Sequence, residues 1–299
     1  MQRINKYPSA ILTSDWHLRE TQPICRTDNF YEETQWKKVD FISELQKQYN
    51  CPVLHAGDLF DHWKPSPWLL SETIKHIPEQ FFTIYGNHDL PQHNMDLKHK
   101  SGIHVLDMAN KIRTFHLEIK IDRVKFEFCN WNETPCNIGK YLIWHVMNYQ
   151  GKKPWPDCPF PMASKLLRQY PQYDLIVTGD NHASFVEEYE GRLLVNPGSI
   201  FRMDADQINH KPRVYLWYAE TNTVEPIYLP IEDNIISREH IERTEKRNER
   251  IDAFVSKLNN DWEKTVSFED NLENFKQSHK ILPSVMNIIY KSIEYDTHN

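Results

Sequence analysis

The chain is short of several things, and each shortage removes a class of protein. No stretch of its 299 residues approaches the roughly 18 consecutive apolar residues of a membrane span. The opening Met1-Gln2-Arg3-Ile4-Asn5-Lys6 has no apolar core of a secretory signal. Five scattered cysteines without a Cys-x-x-Cys pair argue against a zinc knuckle and a disulfide framework, and for reduced thiols in a cytoplasmic compartment. Positive charge is in deficit: 35 Lys and Arg face 42 Asp and Glu, a net of −7, so no global basic field announces a nucleic-acid binder. Internal repeats and low-complexity segments are absent.

What is present suits a soluble globular protein, 39% hydrophobic and 12% aromatic, long enough for one large domain with an appendage. Short apolar runs that read as buried strands occur at 8–14, 52–55, 81–85, 141–145 and 174–178, and helical spacing follows the first, over 29–49. Strand, helix, strand makes a parallel crossover unit. Ser66-Pro67 is a cap and first-turn pair for a second helix. Residues 103–147 lean towards β structure, a hairpin is expected across Glu190-Gly191, and 213–218 and 224–229 read as closing strands. Two segments are expected, 1–230 and a helical 231–299. The second carries 10 Lys and Arg against 14 Asp and Glu, a poor arm for phosphate backbone. Its apolar stripes, Ile251, Phe254, Val255, Leu258 and Trp262 in one run and Val285, Ile288, Ile289 and Ile293 in another, are expected to pack on the main domain or on a partner.

The polar residues gather where these strands end. Gly57-Asp58-Leu59-Phe60-Asp61 follows 52–55, Asp15-Trp16-His17 follows the first strand, and Gly86-Asn87-His88-Asp89 the third. His145 ends a strand, and Gly179-Asp180-Asn181-His182 follows another. Each has an ordinary reading when taken singly: a turn with a self-bonded aspartate, an N-cap, a packed histidine. Five strand ends in a row carrying such groups do not, because ligands bind at the carboxyl ends of strands in helix-flanked sheets.

This series resembles the calcineurin-like metallophosphoesterase superfamily, whose signature runs Asp-x-His, Gly-Asp-x-x-Asp, Gly-Asn-His-Asp/Glu, a lone His, then Gly-His-x-His. Within it, Gly57–Asp61 with Pro65-Ser66-Pro67, and later Asn196-Pro197-Gly198-Ser199, look most like the SbcD-type DNA-repair nucleases. The resemblance implies an α/β fold of two packed mixed β-sheets flanked by helices, to which the helical 231–299 read from its apolar spacing is an appendage. It implies two divalent cations, Mn²⁺ first and Mg²⁺, Fe or Zn²⁺ as alternatives. One would be held by Asp15, His17, Asp58 and His182, the other by Asp58, Asn87, His145 and Asp180. His88 would face the leaving oxygen as general acid or charge stabiliser, with Asp61 holding its imidazole.

The activity implied is hydrolysis of phosphodiester bonds, as a DNA nuclease. A phosphatase or small-nucleotide phosphohydrolase using the same site, favoured by the acidic pI of about 6.1, stays open beside it, and so does a non-catalytic binding protein. An SbcC-like ATPase partner and a homodimer belong to the same resemblance; no membrane partner is expected. Asp180 stands where the family pattern has His, and direct or water-bridged ligation is expected of it, because a carboxylate among other acidic groups would be repelled without a cation.

Overall fold

The computed structural model of the protein describes residues 7–115, 117–121, 124–260 and 268–296. The opening hexapeptide and Trp262 lie outside them. The chain divides into two compact units, Met1–Ser237 and Arg238–Asn299.

The first unit holds two six-stranded sheets. One has the order β12-β11-β1-β2-β3-β4, built from Ala10–Thr13 (β1), Val53–His55 (β2), Phe81–Thr83 (β3), Arg113–Thr114 (β4), Arg213–Tyr218 (β11) and Thr223–Tyr228 (β12). The other has the order β5-β6-β7-β8-β10-β9, from Leu117–Ile121 (β5), Val124–Cys129 (β6), Tyr141–His145 (β7), Leu175–Gly179 (β8), Phe185–Tyr189 (β9) and Arg192–Asn196 (β10). Strands β1 to β4 run parallel, as do β6 to β8 and β10, while β11, β12, β5 and β9 pair antiparallel. Both sheets are therefore mixed.

Alternation along the strands explains why they stack. In β1, Ala10 and Leu12 face one way and join Leu54, Ile143, Val177, Val195 and Trp217 in a core shared by both sheets. Ile11 faces the other way, against Trp36, Val39 and Ile42 of helix α1 (Tyr31–Tyr49) and Leu69 of α2 (Pro67–His76). The outer face of the second sheet is covered by α4 (Ala163–Gln169), whose Leu166 and Leu167 meet Leu142, Ile176 and Leu194. Each fully buried Leu or Ile contributes about 1.5–3 kcal/mol, so three apolar layers hold four layers of structure.

Local chemistry fixes the helix ends. Asn50 closes α1 in the left-handed region, at φ 47°. Ser66 Oγ accepts from Leu69 N at 3.1 Å to cap α2, with Pro67 in the first turn. One expectation is corrected here: the start of the stretch expected to be β-rich is helical, α3 (Gly102–Met108), because the Ser101 hydroxyl caps it by accepting from His104 N. The segment up to Ser237 belongs to the first unit, since Ile236 bridges Arg26 and Ser237 N donates to Cys25 O at 2.7 Å.

The second unit is helical: α5 (Glu239–Asn260), α6 (Phe268–Ser278) and α7 (Pro283–Asp296). Among the described residues, Leu272, Phe275 and Met286 are its buried apolar side chains, and Phe254 meets Phe275 edge-on at 5.2 Å. Ile251, Val255 and Ile288, from the expected stripes, are exposed. Among the described residues no helix is long and apolar enough to cross a membrane.

Candidate metal centre

The pairing of β1 with β2 does not stop where the strands end. Asp15 N donates to Gly57 O at 3.0 Å, His17 N to Asp58 O at 3.0 Å and Leu18 N to Leu59 O at 2.9 Å. The two loops leave the sheet together, and that carries Asp15 and His17 alongside Asp58. The left-handed backbone at Asp15 (φ 51°), His17 (φ 44°) and Asp58 (φ 59°) is uncommon for residues with a Cβ and belongs with functional sites. A Cβ on Gly86 would stand 2.0 Å from Asp58 Oδ1, so only glycine lets the loop after β3 close over that carboxylate.

That loop brings three further groups. His88 N donates to Asp58 Oδ1 at 2.9 Å, fixing one oxygen of the carboxylate. Asn87 Oδ1 lies 3.0 Å from His145 Nε2. The buried Asp89 accepts from the main-chain N–H of Asp58, Gly86, Phe60 and, at longer range, Leu59. Asp89 was given no role by the sequence reading; its place in the Gly86–Asp89 run was the available signal, but a run of letters does not reveal which way a carboxylate turns.

The second sheet supplies the rest. His145 is buried at the end of β7, with Nδ1 2.7 Å from Ala56 O. A carbonyl only accepts, so Nδ1 carries the proton and Nε2 turns towards Asn87 Oδ1 and towards Asp58 Oδ2 at 3.5 Å. After β8, Asp180 N donates to Asp15 Oδ1 at 2.9 Å, and Asp180 is itself left-handed, at φ 78°. The next turn is clamped by Asn196, whose amide donates to Asn181 O and Ala183 O while its oxygen accepts from Thr178. That clamp sets His182 with its Nε2 3.1 Å from His17 Nε2.

Of the expected metal ligands, the structure thus brings Asp15, His17, Asp58, Asn87, His145 and His182 to one rim. Three overlapping groups of possible ligand atoms lie within 4.8 Å of one another: Asp15, His17 and His182; Asp15, Asp58 and His145; and His17, Asp58 and His88. Asp180 is outside these groups, although its half-buried carboxyl is held above the usual range by burial. Asp61 differs in detail from expectation. It does hold the His88 imidazole, but through its carbonyl, 2.8 Å from Nδ1, while its carboxylate pairs with Arg19 at 3.2 Å and stands 3.7 Å from His17 Nδ1.

These groups fit cations. Asp15 Oδ2 and His17 Nδ1 are buried with no hydrogen-bond partner, which costs about 1–3 kcal/mol each if nothing else meets them. Two imidazole nitrogens facing at 3.1 Å need either a shared proton or an electrophile beside them. Burial pushes the Asp15 carboxyl up to about 6 and drives His17 well down. Burial opposes ionisation of Asp58 too, yet His145, His17 and His88 around it hold its carboxyl below the usual range. Carboxylate, imidazole and amide donors, with no thiolate among them, are a hard-to-borderline set.

Two helix-flanked sheets whose loops converge on such a set make the framework of a metal-dependent hydrolase. The chain belongs to the calcineurin-like phosphoesterase superfamily, whose domain matches residues 10–216. That superfamily depends on binuclear metal centres. The chain is 25% identical over 203 residues to the DNA double-strand break repair protein Mre11 of Methanosarcina mazei, an alignment covering 58% of this chain and 32% of that protein. The chain thus spans about a third of that relative's length. Among solved structures, a novel archaeal phosphodiesterase is similar at 17% identity over 74% of this chain and 99% of that one, with a TM-score of 0.42. A 5'-nucleotidase assignment from Staphylococcus aureus is similar at 12% identity over 75% of this chain and 54% of that one, with a TM-score of 0.45.

Proposed function

We infer that the protein is a binuclear-metal-dependent phosphodiesterase acting as a nuclease of the SbcD kind. The observation that carries this reading is the position of Asp58, one oxygen held by His88 N and the other within 3.6 Å of both His17 and His145. Such a carboxylate can serve two cations at once. In this reading Asp15, His17, Asp58 and His182 hold one, and Asp58, Asn87, His145 and Asp180 the other. Two cations held there would supply Lewis-acid polarisation of a phosphoryl group and would acidify water. Absence of thiolate and abundance of oxygen donors favour Mn²⁺.

The chain's own residues do the remainder. Asp61 O accepts the Nδ1 proton of His88, so a second proton on this ring sits on Nε2. His88 then donates that proton to the departing oxygen, or stabilises its charge, with the ring kept in one orientation. Asp61 orients the His88 ring through its carbonyl, while Asp89 and Asn196 position main chain.

A second reading has its own support. The net charge of −7 suits a small nucleotide better than a long polyanion. An assay with Mn²⁺ on bis-p-nitrophenyl phosphate, single-stranded DNA, duplex DNA and a nucleoside monophosphate separates the two. The nuclease reading expects turnover of the diesters. Turnover confined to the monoester would overturn it in favour of a nucleotidase.

A further inference from the structure

Two pairs of aromatic rings stand on the same rim as the metal centre, each tied to one of its residues. Immediately after Asp61, the rings of His62 and Trp63 lie 5.3 Å apart. Beyond Asn87, His93 and Trp131 lie 5.7 Å apart. The second pair is held deliberately. Gln92 (φ 52°) and His93 (φ 53°) are successive left-handed residues with Cβ atoms, a conformation costing about 1–2 kcal/mol each. The turn they form puts His93 Nδ1 2.9 Å from Asn87 O, and Trp131 N donates to Tyr85 O at 2.9 Å. The two pairs are also joined along the rim, because Gly102 N, following the 3₁₀ helix Met95–Lys100, donates to Trp63 O at 2.8 Å.

Both histidines are exposed, and both tryptophans are half-buried, so each pair has a fixed body and an accessible ring. Exposed Lys98 and Lys100 stand on this 3₁₀ helix with one exposed acid, Asp96, so the helix is basic on balance in an acidic chain. Aromatic rings beside a phosphate-handling site, with lysines on the segment that joins them, are the components of a single-strand channel. Duplex bases cannot use such rings, since both faces of an interior pair are already covered by neighbouring pairs.

We propose that His62–Trp63 and His93–Trp131 are base-stacking platforms on the rim of the metal centre, and that the substrate is single-stranded nucleic acid. The proposal rests on the diesterase reading for its chemistry, and it adds what is recognised: unpaired bases, without regard to sequence. Lys98 and Lys100 hold backbone phosphate while the rings hold bases.

Fluorescence anisotropy of the full chain tests it with three labelled probes of equal length: a single strand of oligothymidylate, its abasic counterpart and a blunt duplex. The expected result is that the single strand binds about tenfold or more tighter than either other probe. His62→Ala and His93→Ala should each weaken the base-bearing strand by about tenfold and leave the abasic strand unaffected. His93→Phe, which keeps an aromatic ring without the imidazole nitrogens, should restore binding, and circular dichroism checks that the variants stay folded without the Nδ1–Asn87 O contact. Equal binding of the abasic strand, preference for the duplex, or a His93→Phe protein as weak as His93→Ala would overturn the proposal. Turnover of bis-p-nitrophenyl phosphate is measured separately. Its absence would remove the diesterase reading, while the anisotropy still decides the platforms.

Discussion

The two sheets contribute to the rim in different ways. The first places Asp15, His17, Asp58, Asn87 and His88 at the ends of three adjacent parallel strands, and its loops lock to one another through main-chain bonds. The second places His145, Asp180 and His182, and two of these are fastened to the first sheet: His145 to Ala56 O and Asp180 N to Asp15 Oδ1. One sheet is a frame, the other leans on it. A damaged first-sheet loop should therefore cost the whole centre, whereas a second-sheet change should cost one cation.

The largest expected effect tests the catalytic role proposed for His88 in the frame. His88→Gln should lower kcat by about 10²–10⁴-fold while metal content stays near wild type. Near-full turnover by this variant on a diester with a poor leaving group would contradict the role given to His88. Next comes the lock beneath it. Asp89→Ala strands the N–H groups of Asp58, Gly86 and Phe60 in a buried place, and should cost about 3–5 kcal/mol of stability by denaturant unfolding. A loss below about 1 kcal/mol would mean that the loops do not depend on this carboxylate.

The second sheet should respond more locally. Asp180→Ala should weaken one cation by about tenfold or more and leave the other unchanged, while Asp180→His should be tolerated and raise relative activity with softer ions. Calorimetric titration with Mn²⁺ reads both; equal weakening of two sites would deny Asp180 a place at the second. A pH-dependent effect is expected in the helix that covers the first sheet. Lys38 of α1 is buried with its ammonium on Ile200 O at 2.9 Å and over the Phe201 ring, and burial pulls it down to about 7. The unfolded chain keeps this proton up to about pH 10.4, so it binds more protons than the folded chain between those values. Stability attributable to Lys38 should thus rise with pH across that window, by up to about 1.4 kcal/mol per unit, and Lys38→Met should abolish the rise. Melting curves that stay parallel for wild type and variant from pH 7 to 10 would count against it.

Much of this was legible in the residues because strand ends are punctuated. The apolar runs before Asp15, Asp58, Asn87, His145 and Asp180 placed each polar group at a carboxyl end, and Ser66-Pro67 marked a helix start by its own chemistry. The pairing of the two sheets was not legible from spacing, since alternation in β1 says that two faces are buried but not against what; only the family resemblance supplied the sandwich. Helix α3 was missed because seven residues give too little periodicity to outweigh the β-rich stretch that follows. The carbonyl of Asp61, the four-way role of Asp89 and the Asn196 clamp depend on main-chain direction, which side-chain identity does not encode. The ring pairs at His62 and His93 join residues as far apart as 93 and 131, and sequence separation hid the second of them.

The central claim is that Asp58 joins two cations into one centre. Reconstitution with Mn²⁺, desalting and metal counting by mass spectrometry on wild type and Asp58→Asn tests it most directly, with circular dichroism to verify folding. The account predicts about two Mn²⁺ per wild-type chain and loss of both in the variant. Two Mn²⁺ retained at normal occupancy in a folded Asp58→Asn protein would contradict it.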